Sequence, residues 1–250
     1  MNRKLRIAVV GGSACSSAGL DSNSKSWPLL LEQAYQGELQ YISLGGLTIV
    51  RTIDLINEIK QCDLLILNLG TSTGWPIPIT KLQDKFGIKF SSEFGFHQPI
   101  KRDKKPFLFK LRKLLKLRLK NFIKYILFCF GLYRPKAGIH EINDQVDVLS
   151  KVLKTKTKRT IWLQHRVFQK SNTVVERYFY NRYYNKILNK VETLADNSIS
   201  ILRIPDSFLV QENYLSDSVH LSKKGHETLM RLVSGAIDGE LSINSENKHD

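Results

Sequence analysis

Two observations predict the fold class. Three apolar runs each stop at a glycine turn, and stretches of helical character alternate with them, which is the pattern of a doubly wound α/β sandwich with right-handed crossovers. Two further runs, at 160–164 and 198–204, bring the strand count to five. The expected architecture is three layers around a parallel five-stranded sheet in the flavodoxin-like order 2-1-3-4-5. Ligands are expected where that order reverses, between the loops after strands one and three. A length of 250 residues fits a single domain, 1–250, carrying an inserted loop and basic amphipathic helix at about 75–135.

The first strand is the apolar run Ile7-Ala8-Val9-Val10, which ends at Gly11-Gly12-Ser13. The two glycines predict a sharp turn and a close backbone approach, leaving Ser13 at the carboxyl edge of a buried strand. Neither a Gly-Lys-Ser/Thr ending nor a third glycine at dinucleotide spacing follows, which argues against a phosphate loop. A helix is predicted over 27–36, with Ser26 as N-cap, Pro28 in the first turn and Gly37 as the stop. The second strand, 39–44, runs into Gly45-Gly46, a short helix follows at about 52–60, and the most apolar run, 63–69, ends at Gly70-Thr71-Ser72. Beyond the insertion come a helix over 139–154 and a fourth strand, 160–164, that ends at His165-Arg166. A long helix over 173–195 carries tyrosines that read as core and rim, and the fifth strand, 198–204, follows it. The last helix is predicted over about 223–238 with Ser222 as N-cap, and the polar tail from about Ser242 is expected to fray.

Charge sets the insertion apart. The chain carries a formal net charge of +15, and between 101 and 124 eleven Lys or Arg face one acid, Asp103, so most of the surplus sits there. Leu108, Leu111, Leu115, Leu119, Phe122 and Ile126 repeat at three- and four-residue steps, while Lys110, Lys113, Lys120 and Lys124 fall on the opposite face. Two readings stand side by side: an interfacial helix on an anionic membrane surface, or an apolar stripe packed on its own domain beneath a solvated lysine face. Nucleic acid ranks last among partners, because base-stacking aromatics are not interleaved with the lysines.

Cys15, Cys62 and Cys129 are odd in number and widely spaced, which suggests neither a disulfide framework nor a zinc cluster and fits a reducing compartment. No cofactor and no metal is expected. Arg3 and Lys4 precede an apolar run, but that run is shorter than the ~7–15 residues of a secretory signal, and none reaches the ~18 residues of a membrane span. The expected location is cytoplasmic, with peripheral attachment to the inner membrane face through 101–124.

Near the other end, Ser216-Asp217-Ser218-Val219-His220 places an acid and an imidazole three apart, after the last strand and just before the final helix. A short turn there returns both to the sheet edge that carries Ser13. His97 and His140 lack any supporting pattern.

With these residues in place the chain resembles the SGNH (GDSL-type) hydrolases. Gly11-Gly12-Ser13 stands where that family has Gly-Asp-Ser, Gly46 matches the second block, Gly70-Thr71-Ser72 the third, and Asp217-Ser218-Val219-His220 the fifth block, Asp-x-x-His. The resemblance implies Ser13 as nucleophile, His220 as general base and Asp217 as its orienting partner. It also implies an oxyanion hole from Ser13, Gly46 and Ser72, where Ser72 replaces an asparagine donor and Gly12 replaces an aspartate. His165 and Arg166, at the end of strand four, are candidates for gripping an anionic substrate. The expected activity is that of a serine esterase or deacetylase, or an acyl transferase, acting on an acylated glycan or glycolipid in polysaccharide assembly. The alternative is an inactive binding module that keeps the crevice for an anionic or lipid-linked glycan.

Overall fold

The computed structural model describes residues 5–17, 20–45, 47–69, 76–78, 115, 118–119, 122–123, 125–131, 133–135, 139–164, 174–196, 198–215 and 220–246. Five strands, β1 (Arg6–Gly11), β2 (Glu38–Ser43), β3 (Leu64–Asn68), β4 (Thr160–Gln164) and β5 (Ile199–Arg203), form one parallel sheet in the order β2-β1-β3-β4-β5. This is the predicted 2-1-3-4-5 arrangement. Among the described residues the helices that pack on it are α1 (Trp27–Tyr35), α2 (Ile49–Glu58), α3 (Ile139–Lys156), α4 (Val174–Leu194) and α5 (Lys223–Glu246).

The apolar strands are covered on both faces, so successive side chains enter two separate cores. Ala8, Val10, Leu65 and Leu67 join Ile56 of α2, Leu149 of α3 and Ile187 of α4. Ile7, Val9, Leu64 and Ile66 join Trp27 and Leu31 of α1 and Leu229, Val233 and Ile237 of α5. Each fully buried valine, leucine or isoleucine among them contributes about 1.5–3 kcal/mol. Two-sided burial is why β1 and β3 read as continuous apolar runs rather than alternating ones.

Several local expectations need correction. Helix α2 begins at Ile49, earlier than expected, because the Thr48 hydroxyl accepts from the Arg51 amide at 3.3 Å and caps the first turn. Helix α1 stops at a left-handed Gln36, with φ 45°, rather than at Gly37. Gly37 serves close approach instead, since a Cβ there would lie 2.6 Å from the Leu5 carbonyl oxygen. Helix α5 continues to Glu246, past the Ser242 at which fraying was expected. An antiparallel two-stranded ladder was not anticipated. It pairs Pro76–Pro78 with Tyr133–Pro135 and ties together the two ends of the insertion.

Candidate active site

The β1 carboxyl end lies between its two neighbours, with Gly11 opposite Ser43 of β2 and Asn68 of β3. Hydrogen bonds from both sides fix the turn that follows. The Leu44 amide donates to the Gly11 carbonyl at 3.0 Å, the Gly12 amide to the Asn68 carbonyl at 3.1 Å, and the Ser43 hydroxyl to the Gly12 carbonyl at 3.0 Å. Ser13 then opens a single 3-10 turn, Ser13–Cys15, whose carbonyl at Ser13 accepts from the Ser16 hydroxyl at 2.7 Å. Ser13 is partly exposed while Ala14 and Cys15 are buried. Among the described residues, Ser13 Oγ has no hydrogen-bond partner.

The close approach expected of the glycines is found at Gly11. Neither Gly11 nor Gly12 has a positive φ, and Gly12 is extended, so no left-handed turn is involved. Gly11 is needed for space: a Cβ there would meet Cys15 Sγ at 2.2 Å and Asn68 Cβ at 3.0 Å. The strand end, the Cys15 thiol and the Asn68 side chain therefore pack as one unit beneath Ser13. Tyr41 of β2 adds a hydrogen bond from its hydroxyl to the Cys15 carbonyl at 2.6 Å. Burial pushes the Cys15 thiol up to about 12, partly offset by the nearby donors of Asn68 and Trp27. Cys15 is thus a protonated packing group at neutral pH, and Ser13 is the nucleophile candidate of this turn.

His220 is held by local backbone contacts ahead of α5. Its carbonyl accepts from the Leu215 amide at 2.8 Å, next to an antiparallel bridge between Tyr214 and Leu221. Ser222 then donates its amide to the Asn213 carbonyl at 3.0 Å, and its hydroxyl accepts from the Gly225 amide at 3.1 Å, capping α5 as predicted. Gly225 is pressed against the 3-10 turn Gln211–Asn213; a Cβ there would sit 2.0 Å from the Asn213 carbonyl oxygen.

One hydrogen bond joins the two stretches. The Trp27 amide, in the first turn of α1, donates to His226 Nδ1 at 3.2 Å across 199 residues. Ser26 occupies the N-cap position, but its side chain makes no capping hydrogen bond; the imidazole from α5 satisfies the helix end in its place. To accept, Nδ1 must be unprotonated. Burial, with a smaller contribution from the charge of nearby His220, lowers His226 to about 4. The hydrogen bond therefore pins the start of α1, which follows the Ser13 turn, to the first turn of α5, which follows His220. The role of His226 was not read from the sequence, because nothing local distinguishes a helix-capping histidine from a surface one.

Of the other predicted site residues, Gly46, Ser72, His165, Arg166 and Asp217 lie outside the described residues. Among the described residues no cluster of three or more His, Cys, Asp or Glu is arranged to hold a metal ion.

No protein-family model matches the sequence, and no curated protein matches it significantly. The likeness is in the fold. A psychrotrophic esterase, EstA, from Pseudoalteromonas sp. superposes with a TM-score of 0.57 at 13% identity, covering 96% of this chain and all (100%) of the esterase. A member of the lipolytic G-D-S-L family from Veillonella parvula superposes with a TM-score of 0.52 at 7% identity, over 92% of this chain and 96% of that one. The fold is that of the SGNH hydrolases. An acetylxylan esterase from Geobacillus stearothermophilus shares it, with a TM-score of 0.50 at 13% identity and coverage of 92% and 93%. At these identities the likeness speaks for architecture alone, the five-stranded parallel sheet and its order among it.

Proposed function

We propose that the protein is a serine hydrolase of acyl esters, with an acetyl group on a glycan or glycolipid as its substrate. The observation that carries this reading is the placement of Ser13. It leaves the carboxyl end of β1 at the switch point of the sheet, partly exposed and without a described hydrogen-bond partner, while a hydrogen bond clamps α1, which follows it, to α5, which follows His220. Structures of the same fold include an esterase and an acetylxylan esterase, which supports ester chemistry on an acylated sugar.

In this reading Ser13 Oγ attacks the acyl carbon as His220 takes its proton, and Asp217 holds the imidazole in the tautomer that can accept it. The amides of Ser13 and Gly46 and the Ser72 hydroxyl receive the oxyanion. Collapse of the tetrahedral intermediate expels the sugar oxygen, which leaves with the proton from His220. Water, activated by the same imidazole, then attacks the acyl-enzyme and releases the carboxylic acid. His165 and Arg166, which follow β4 in the sequence, are assigned to an anionic part of the substrate.

Hydrolysis of p-nitrophenyl acetate tests the assignment. Ser13→Ala is expected to lower kcat/KM by at least about 10³-fold while leaving the thermal midpoint in place. A wild-type protein without turnover, or a Ser13→Ala variant that keeps full turnover, would overturn it.

A further inference from the structure

The apolar stripe of the insertion is not packed against its own domain. Leu115, Leu119 and Phe122 are 57%, 60% and 60% exposed and Ile126 is 36% exposed, and Phe130 just beyond them reaches 75%. The described residues of this segment are helical from Leu115 to Cys129. Among them, Leu127 and Phe128 alone pack against the core, at the cluster shared by α2, α3 and α4. At about 100° per residue these two side chains lie on roughly the opposite side of the helix from Leu115, Leu119, Phe122 and Ile126. The domain thus grips one face near the end of the helix and presents the other. The Pro76–Pro78 and Tyr133–Pro135 ladder fixes the base from which the insertion departs.

We propose that this face docks on the surface of an anionic lipid bilayer. A run of leucine, phenylalanine and isoleucine side chains in line on one helix is a contiguous apolar surface, larger than scattered exposure would give. It has the form of an interfacial helix that sinks its apolar face into the headgroup boundary. Charge selects the kind of surface. The sequence between 101 and 124 carries eleven cations and one acid, which a planar sheet of anionic headgroups attracts. Two copies of this chain meeting through the same face would bring both cationic segments together, which opposes self-association. Nucleic acid offers phosphates but nothing to bury Leu115, Leu119 and Ile126, which cannot stack on bases as aromatic side chains do. The docking reading stands apart from the hydrolase reading and is tested without any turnover.

Cys129 provides the probe, because it is exposed and near the stripe whereas Cys15 and Cys62 are buried. The intact protein, labelled at Cys129 with an environment-sensitive fluorophore, is mixed with vesicles of phosphatidylcholine alone or with about 30% phosphatidylglycerol. The expected result is a blue shift and at least about tenfold tighter binding on the anionic vesicles, weakening as salt rises. Leu119→Glu with Phe122→Glu, both at exposed positions, is expected to keep the thermal midpoint and lose the blue shift with a tenfold or greater drop in binding. Equal binding to both vesicles, binding without a blue shift, or unchanged binding by the double variant would overturn the proposal. So would a blue shift produced by duplex nucleic acid or by raising the protein concentration in the absence of vesicles.

Discussion

The strand β1 and the helical part of the insertion are built from the same kinds of residue and meet opposite fates. Ile7, Val9 and Val10 are at most 1% exposed because helices cover both faces of the sheet. Leu115, Leu119 and Phe122 are more than half exposed. Apolar composition does not by itself say what a segment packs against; the number of covered faces does. In the first region burial serves to position a hydroxyl, and in the second the uncovered face is available to a surface outside the chain.

Substitutions sharpen the contrast, and the largest effect is expected where two elements touch backbone to backbone. Gly225→Ala places a methyl 2.0 Å from the Asn213 carbonyl oxygen, which belongs to the main chain and has little room to give. It should cost about 3 kcal/mol in denaturant unfolding and loosen the His220 segment. A variant as stable as wild type would show that α5 and the 211–213 turn are not tightly joined.

A comparable effect is expected from pH, through His226. In the folded chain it titrates near 4 rather than at the ordinary histidine value of 6.5, so the unfolded chain takes up the proton first. Its contribution to stability is intact above about pH 6.5 and declines as pH falls toward 4, by about 3 kcal/mol over that window. His226→Gln keeps an acceptor for the Trp27 amide but does not titrate. Unfolding curves at pH 7 and pH 4 should therefore differ less for this variant than for wild type, and an identical pH dependence would contradict the clamp.

The smallest effect belongs to the insertion. Leu119→Glu and Phe122→Glu should each change stability by no more than about 0.5 kcal/mol, since neither side chain is buried. A loss of about 2 kcal/mol, as for a core leucine, would mean that the stripe does pack on the domain.

Much of the fold was legible because its signals are local. Apolar runs, three of them ended by glycine, gave all five sheet strands to within a residue or two, and Ser222 was visible as the cap of α5. The ladder at the base of the insertion was not, since each partner is three residues long and both are rich in proline, which removes ladder donors and blurs the strand signal. The Ser13 turn was legible as an ending of β1, but its cause was not. Gly11 is required by a sulfur four residues on and by a neighbouring strand, and Trp27 is capped by an imidazole at position 226. Such contacts depend on the folded arrangement and leave no periodicity to read.

The central claim is that Ser13 and His220 work together at one rim of the sheet. A fluorophosphonate probe followed by peptide mapping addresses it directly, because phosphonylation needs a serine hydroxyl activated by a neighbouring base. A single adduct on Ser13 in the folded protein, lost in a stably folded His220→Ala variant, is the predicted result. No adduct in the folded wild type, an adduct on another serine, or Ser13 labelling that persists without His220 would contradict it.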